Sequence, residues 1–229
     1  MEIKPPEQTG LFEALYTTRA LRRFKPDPVP DEVLFQVIDA AIRAPAGGNQ
    51  QVWHFLIIRD PELRLKVAKW YEDGWNNSGY REVETDPARL AALPRQQQLV
   101  VRSAAYLAHN MQEAPVLVFV CGPRNAGGSI YPAVQNFLLA CRGMGLGSTL
   151  TTLFMRNFDK IAQELGIPEG QQAFALLPVG YPRDKFGPVS RRPVWKHASL
   201  DRWGNEWPFA KAQPDQGWRD KWVAPAQEG

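Results

Sequence analysis

The sequence predicts an α+β fold in which helices are layered on a sheet. Three observations carry that expectation. Short apolar runs at 53–58, 115–121 and 173–180 are bounded by Pro, Gly or polar turns, as strands are. Amphipathic stretches with helical spacing lie between them, so strands alternate with helices. A chain of 229 residues, 44% of them hydrophobic, can bury a full core around such a sheet.

Residues 10–24 read as a short helix running into an extended segment that carries Arg19, Arg22 and Arg23. A Pro-rich connection leads to a helix whose start is marked by Pro30, Asp31 and Glu32. Val33, Leu34, Val37, Ile38, Ala41 and Ile42 form its core-facing stripe, and Pro45 ends it. After a Gly- and amide-rich loop, residues 53–58 are apolar on both faces and predict an interior strand. A helix follows from Pro61 to about Asp73. From Gly74 to Pro94 the periodicity dissolves, which reads as an irregular excursion of lid type.

A helix from about Arg95 to Gln112 precedes the strand 115–121. The next helix, starting at Ser129 or Tyr131, carries Val134, Phe137, Leu138 and Cys141. It runs into Gly143-Met144-Gly145-Leu146-Gly147, which has the glycine spacing of a dinucleotide motif. That motif follows a helix and precedes a strand, the reverse of the order that sets a pyrophosphate on a helix N-terminus. It reads as a helix C-cap. A β-type run at 148–152, a helix from Phe158 to Leu165 and the strand 173–180 follow, with Pro178 predicting an edge or a bulge.

Composition excludes several classes. No run approaches the roughly 18 apolar residues of a membrane span, and the stretch from Met1 to Pro6 lacks the apolar segment of a secretory signal. Cys121 and Cys141 each lie in an apolar run, which predicts buried free thiols. His54, His109 and His197 have no metal-ligand spacing, and a net charge of +3 is too small to indicate nucleic acid. The expectation is a cytoplasmic protein with no metal and no membrane or nucleic-acid partner.

Two stretches carry chemistry. In residues 45–51 two glycines adjoin Asn49, Gln50 and Gln51. Each amide has a donor and an acceptor, and glycine allows close backbone approach to a ligand. Such a surface suits a planar heteroaromatic rimmed with carbonyls and ring nitrogens, although a plain helix–strand loop has the same length. The arginine knot at 19–23 is either a solvated basic edge or an anion clamp, since guanidinium forks match phosphate oxygens.

Several segments agree in order and spacing: Arg19-Ala20-Leu21-Arg22-Arg23-Phe24, the loop from Ala44 through Asn49 and Gln51 to Trp53, Pro132-Ala133-Val134-Gln135-Asn136, Gly145-Leu146-Gly147-Ser148-Thr149-Leu150-Thr151-Thr152, and Leu177-Pro178-Val179-Gly180 with Arg191. Together they resemble the FMN-dependent nitroreductase family from about residue 12 to 194. Thr18 and Ala20 stand where the family pattern has arginine and serine, and Ala46 and Val52 where it has serine and proline. The resemblance implies a three-layer α/β/α sandwich on a mixed central sheet, a homodimer with FMN at the subunit interface, and an extended C-terminal tail. It implies an FMN-binding domain over 10–194 with a lid at 74–94. By the same resemblance Arg19, Arg22 or Arg23 with Arg191 supply the cations at the phosphate, and Ala20 is a further cofactor-binding position. Pro45, Ala46, Gly47, Asn49, Gln51, Pro132 and Gln135 contact the cofactor, while Leu150, Thr151 and Thr152 lie near its N5. A Thr there is equally an ordinary β-branched strand residue.

The implied activity is NAD(P)H oxidation coupled to a nitroaromatic, quinone or similar small-molecule acceptor by a ping-pong cycle. The flavin carries the redox work, so no catalytic acid–base pair is expected. Rivals are a reductive deiodinase or flavin-fragmenting relative and a non-catalytic flavin-binding protein. Residues 70–105 show no Glu–Tyr–Lys set of the deiodinase type for gripping an amino-acid zwitterion. Beyond the domain, residues 195–229 hold five of the eight tryptophans: Trp195, Trp203, Trp207, Trp218 and Trp222. This extension has no core of its own and is expected to pack on the domain or, preferably, on a partner subunit.

Overall fold

The computed structural model of the chain describes residues 9–213, which fall into two units. The larger is Ala20–Lys185; the smaller joins residues 9–19 to residues 186–213. In the larger unit, strands β1 (His54–Ile58), β2 (Val116–Pro123), β3 (Gly147–Ser148) and β4 (Gln171–Gly180) form one sheet in the order β1-β2-β4-β3. Every pairing is antiparallel, where a mixed sheet is expected. The sequence predicts β1 inside the sheet; it lies at the edge, with His54 and Ile57 exposed. Apolarity on both faces of a strand reports layers above and below it. Lateral pairing is made by backbone and leaves no side-chain signature.

The larger unit's helices are α2 (Asp31–Ala41), α3 (Pro61–Asn76), α4 (Gly79–Thr85), α5 (Pro87–Ala92), α6 (Arg95–Asn110), α7 (Gly127–Gly143) and α8 (Phe158–Leu165). Those on the smaller unit are α1 (Leu11–Thr17) and α9 (Pro208–Ala212). Alternation along β2 divides the core. Leu117, Phe119 and Cys121 pack with residues of α3, α6 and α8 on one face. Val116, Val118 and Val120 pack with α2 and α7 on the other. Helix, sheet and helix thus form three layers, and the two thiols lie in opposite cores. Burial pushes the Cys121 thiol up to about 11, and Cys141 is raised by the same cause. A register shift between Val120 and Cys121 inserts Phe174 as an extra residue in β4, so Phe174 and Ala175 both reach the α2–α7 core.

Two boundaries differ from the sequence expectation. Helix α7 begins at Gly127, before Ser129, because its small residues let the Phe174 and Tyr131 rings approach. Residues 74–94 are helical where an irregular excursion is expected. Helix α3 continues to Asn76, and α5 starts on Asp86, whose Oδ1 accepts N–H bonds from Ala88 (2.9 Å) and Arg89 (3.1 Å). Helices of six or seven residues are too short to show a period. The glycine motif after α7 is a helix end as expected: Gly145 has φ 71°, and the Leu146 N–H returns to the Cys141 carbonyl at 2.8 Å.

Helix α4 is held by a charge network. His109 Nδ1 is 2.8 Å from Glu72 Oε1, and its Nε2 is 3.0 Å from Glu84 Oε1. Glu84 Oε2 accepts from Trp75 Nε1 at 2.7 Å and from Arg81 Nη1 at 2.9 Å. Burial opposes protonation of His109, but the two carboxylates outweigh it and raise its pKa. Burial likewise opposes ionisation of Glu84, yet the bonds from Trp75, Arg81 and His109 hold its pKa below the usual range. A neutral imidazole has one N–H, so two carboxylate partners require the cation.

Two outcomes follow. A folded-state pKa above the unfolded value of about 6.5 makes the His109 contribution complete below that pH and lost as pH rises through the folded value. The melting-temperature gap between wild type and His109→Gln should therefore be larger at pH 6 than at pH 9; a gap that widens with pH contradicts the network. The second concerns α3, where a Cβ on Gly74 would lie 2.9 Å from the Leu153 carbonyl oxygen. Gly74→Ala should lower unfolding free energy by about 1–3 kcal/mol despite better helix propensity. Gly143→Ala, at an open helical position, should not; urea titration separates the two.

Candidate functional site

The site begins where the outer edge of the sheet is interrupted. Beyond the Ser148–Val179 pair, Thr149 and Leu150 leave the ladder, which resumes for one residue at Thr151. Both backbone groups of Leu176 bond to Thr151, at 2.9 and 3.0 Å. Alternation then turns the Pro178 nitrogen toward that same edge, into the gap. A residue with no N–H is tolerated inside the sheet because nothing there needs its donor. Pro178 predicts an edge or a bulge; β4 is instead an interior strand whose register is unshifted there. The arch beyond it, residues 149–153, contributes Leu150–Leu153 to a cavity on the α3–α6 side.

Beneath the arch lies a cavity of about 370 Å³. Tyr71 from α3, Val101 and Ala104 from α6, Tyr80 from α4, Leu150–Leu153 and Arg156 line it. Tyr80 is 59% exposed and stacks on Trp75, with ring centroids 5.9 Å apart. The Glu84 and His109 contacts to α4 therefore set this part of the rim. At the floor, the Tyr71 and Thr151 hydroxyls are 2.7 Å apart.

Arg22 lies near Tyr71 without lining the cavity itself. Its Nη1 donates to Ser103 Oγ at 3.1 Å, and no carboxylate among the described residues pairs with it. Burial lowers its pKa, with Tyr71 opposing; the Tyr71 phenol is in turn raised by burial, the Thr151 bond and Arg22 opposing. Ser103 meets one of the five N–H donors of Arg22, and none of the Arg22 nitrogens is both buried and without a partner. Arg23 turns away, its guanidinium 4.7 Å from the centroid of the Tyr106 ring. Ala20 is exposed at the start of this segment.

The remaining expected residues lie elsewhere. Arg19 and Arg191 belong to the smaller unit, where the Val189 N–H donates to the Tyr16 carbonyl at 3.1 Å. Both are exposed, and Arg191 Nη1 donates to the Ser190 carbonyl at 2.9 Å. The loop 45–51 is almost wholly exposed, with Gly47 N–H donating to Ser129 Oγ at 3.0 Å. Gly48, Asn49 and Gln51 all have φ near +50°. Asn tolerates this region, whereas Gln51 carries about 1–2 kcal/mol of strain with no burial to enforce it. Pro45, Ala46, Gly47, Asn49, Gln51, Pro132 and Gln135 do not line the cavity that Leu150, Thr151 and Thr152 line. Within one chain, therefore, these residues and the cavity are separate. Sequence reasoning missed Tyr71, Tyr80, Ser103 and Arg156. Tyr71 follows Val67 at helical spacing and reads as core, and Tyr80 lies where no periodicity survives.

Comparison with known proteins bears on this arrangement. The NADH dehydrogenase of Thermus thermophilus is 27% identical over 195 residues, covering 77% of this chain and 88% of its own. The iodotyrosine deiodinase of Thermotoga neapolitana is 29% identical over 187 residues, covering 80% and 95%. A nitroreductase with bound FMN from Desulfitobacterium hafniense has the same fold, with a TM-score of 0.60 at 18% identity over 78% of this chain and 92% of that one. The model of the Nitroreductase family matches residues 15–181, a span that includes the sheet, the arch and Arg22. The chain belongs to the nitroreductase family.

Proposed function

We propose that this chain is an FMN-dependent oxidoreductase that passes electrons from NAD(P)H to a small-molecule acceptor, as a homodimer with shared sites. One observation carries the reading: Arg22 is partly buried near Tyr71, a residue of the cavity lining, and no carboxylate among the described residues pairs with it. A group that develops negative charge at that place would be stabilised by it. When bound, FMN supplies the reversible electron chemistry that no side chain here offers.

The chain's own residues bind, orient and shield. Arg19, Arg23 and Arg191 are the proposed phosphate cations. Asn49 and Gln51, exposed on a strained loop, offer amide donors and acceptors to the pyrimidine edge and ribityl chain. Thr151 has its N–H committed to Leu176 and its hydroxyl to Tyr71, so Thr152 is the donor assigned to N5. The amide loop and the cavity do not meet in one chain, and the loop has little local cover. Both facts support a second copy that brings loop 45–51, Pro132 and Gln135 over the cavity of the first. The relatives' names, an NADH dehydrogenase and a deiodinase, are consistent with a nicotinamide donor and with varied acceptors. In a ping-pong cycle both would use the same cavity in turn.

Deiodination is the weaker reading. Gripping an amino-acid ammonium needs a free carboxylate, and each glutamate of residues 70–105 is engaged: Glu72 and Glu84 with His109, Glu82 with Arg89.

The purified protein should be yellow and release FMN on denaturation; release of FAD, seen by chromatography, would sink the reading. At limiting FMN, Arg22→Gln and Arg191→Ala should each lose about tenfold or more in affinity, as expected for one charge-assisted bond of roughly 1.5–3 kcal/mol. Arg102→Ala, exposed on α6, should keep its flavin. Equal flavin content in all three variants contradicts the assignment.

A further inference from the structure

The lining of the cavity is specific enough to name a class of acceptor. Aliphatic side chains from Val100, Val101, Ala104, Leu150 and Leu153 make most of its wall, and the Tyr80 ring stands at the rim. Arg156 is the one charged residue among those lining it, and no carboxylate or amide side chain joins it. Its backbone sits in the turn Leu153–Asn157 against α3, where a Cβ on Gly74 would lie 3.7 Å from the Arg156 Cβ. Arg43, Arg59, Arg81 and Arg89 all pair with carboxylates, whereas Arg156 has no ion pair or hydrogen bond among the described residues. An apolar wall with a few placed polar groups is how ligand orientation is commonly fixed, and here those groups are one guanidinium and the hydroxyls of Tyr71, Tyr80, Thr151 and Thr152. A guanidinium fork matches a carboxylate with two parallel bonds.

We infer that the acceptor is an aromatic carboxylate, its ring held between the aliphatic wall and Tyr80 and its carboxylate held by Arg156. The inference rests on the reading that the acceptor enters this cavity. It concerns selectivity between acceptors and leaves the identity of the cofactor untouched. A phosphate of the nicotinamide donor has similar anion chemistry, so the test needs an arm for it.

The experiment is calorimetric titration of the oxidised holoprotein, without reductant, with 4-nitrobenzoate and with the neutral 4-nitrobenzamide. Wild type should bind the carboxylate about tenfold more tightly, a value at the low end for a charged hydrogen bond because Arg156 is exposed to solvent. Arg156→Gln should abolish that preference and leave the amide's affinity unchanged, while Arg102→Gln changes neither. Circular dichroism and flavin content, measured on each preparation, report folding and cofactor binding separately. Equal affinities in wild type, binding of neither probe, or a preference that survives in Arg156→Gln would each overturn the inference while leaving a flavin-loaded protein intact. Titration with NADP+ and NAD+ completes the test. If Arg156→Gln instead removes a preference between those two, Arg156 belongs to the donor's phosphate, and the acceptor assignment is overturned.

Discussion

The pair of backbone bonds between Thr151 and Leu176 is the constraint on which the site depends. Residues 149–153 would otherwise be an ordinary edge continuing β3, with alternate side chains on the two faces. Opposite Pro178 the pairing of Thr149 and Leu150 lapses, and the single bridge at Thr151 resumes it in the same register. The recaptured segment then turns directly into Leu153–Asn157, bringing Leu153 and Arg156 against Gly74. Leu150–Leu153 and Arg156 reach the cavity from this segment, while Val100, Val101 and Ala104 come from α6 and Tyr71 from α3. A proline in a central strand, costly in most sheets, is here what keeps the edge from closing.

A second tension is electrostatic. Desolvating a guanidinium is unfavourable unless its donors are met. Arg22 has the Ser103 hydroxyl and little else, while the Tyr71 phenol beside it remains neutral near pH 7, its pKa raised by burial. The protein thus keeps a partly buried cation that no carboxylate among the described residues pairs with. The loop 45–51 shows the same pattern in backbone form, since Gln51 holds a left-handed conformation that neither glycine nor burial explains. An arginine with no carboxylate partner among the described residues and a left-handed Gln51, held within the chain only by Ser103 and Asn49 respectively, fit a ligand and a second subunit arriving from outside.

Much of this was legible in the sequence, for physical reasons. Helix α2 announced itself through a stripe at helical spacing and a proline at each end, and β2 through an unbroken apolar run. The glycine motif after α7 was readable as a cap because its order relative to helix and strand is fixed by geometry. Other features left no trace. Whether β1 is central or at an edge is decided by backbone pairing alone. Helices α4 and α5 are too short to show a period, and so Tyr80 was hidden. Arg22 and Arg23 are neighbours of one type, yet one bonds to Ser103 and the other lies over Tyr106. Only the packing of Leu21 and Phe24 beside them decides which.

The central claim is that each site is assembled from two chains. Asn49→Asp puts a charge on the amide loop, and Arg22→Gln removes the cation near Tyr71. Purified homodimers of either variant carry a lesion in both sites. A heterodimer isolated through two different tags would place both lesions in one site and leave the other native. The account predicts that this heterodimer, with folding verified by circular dichroism, binds about one FMN per dimer with wild-type affinity. A heterodimer that binds flavin as weakly as its parents would show that each site lies within a single chain.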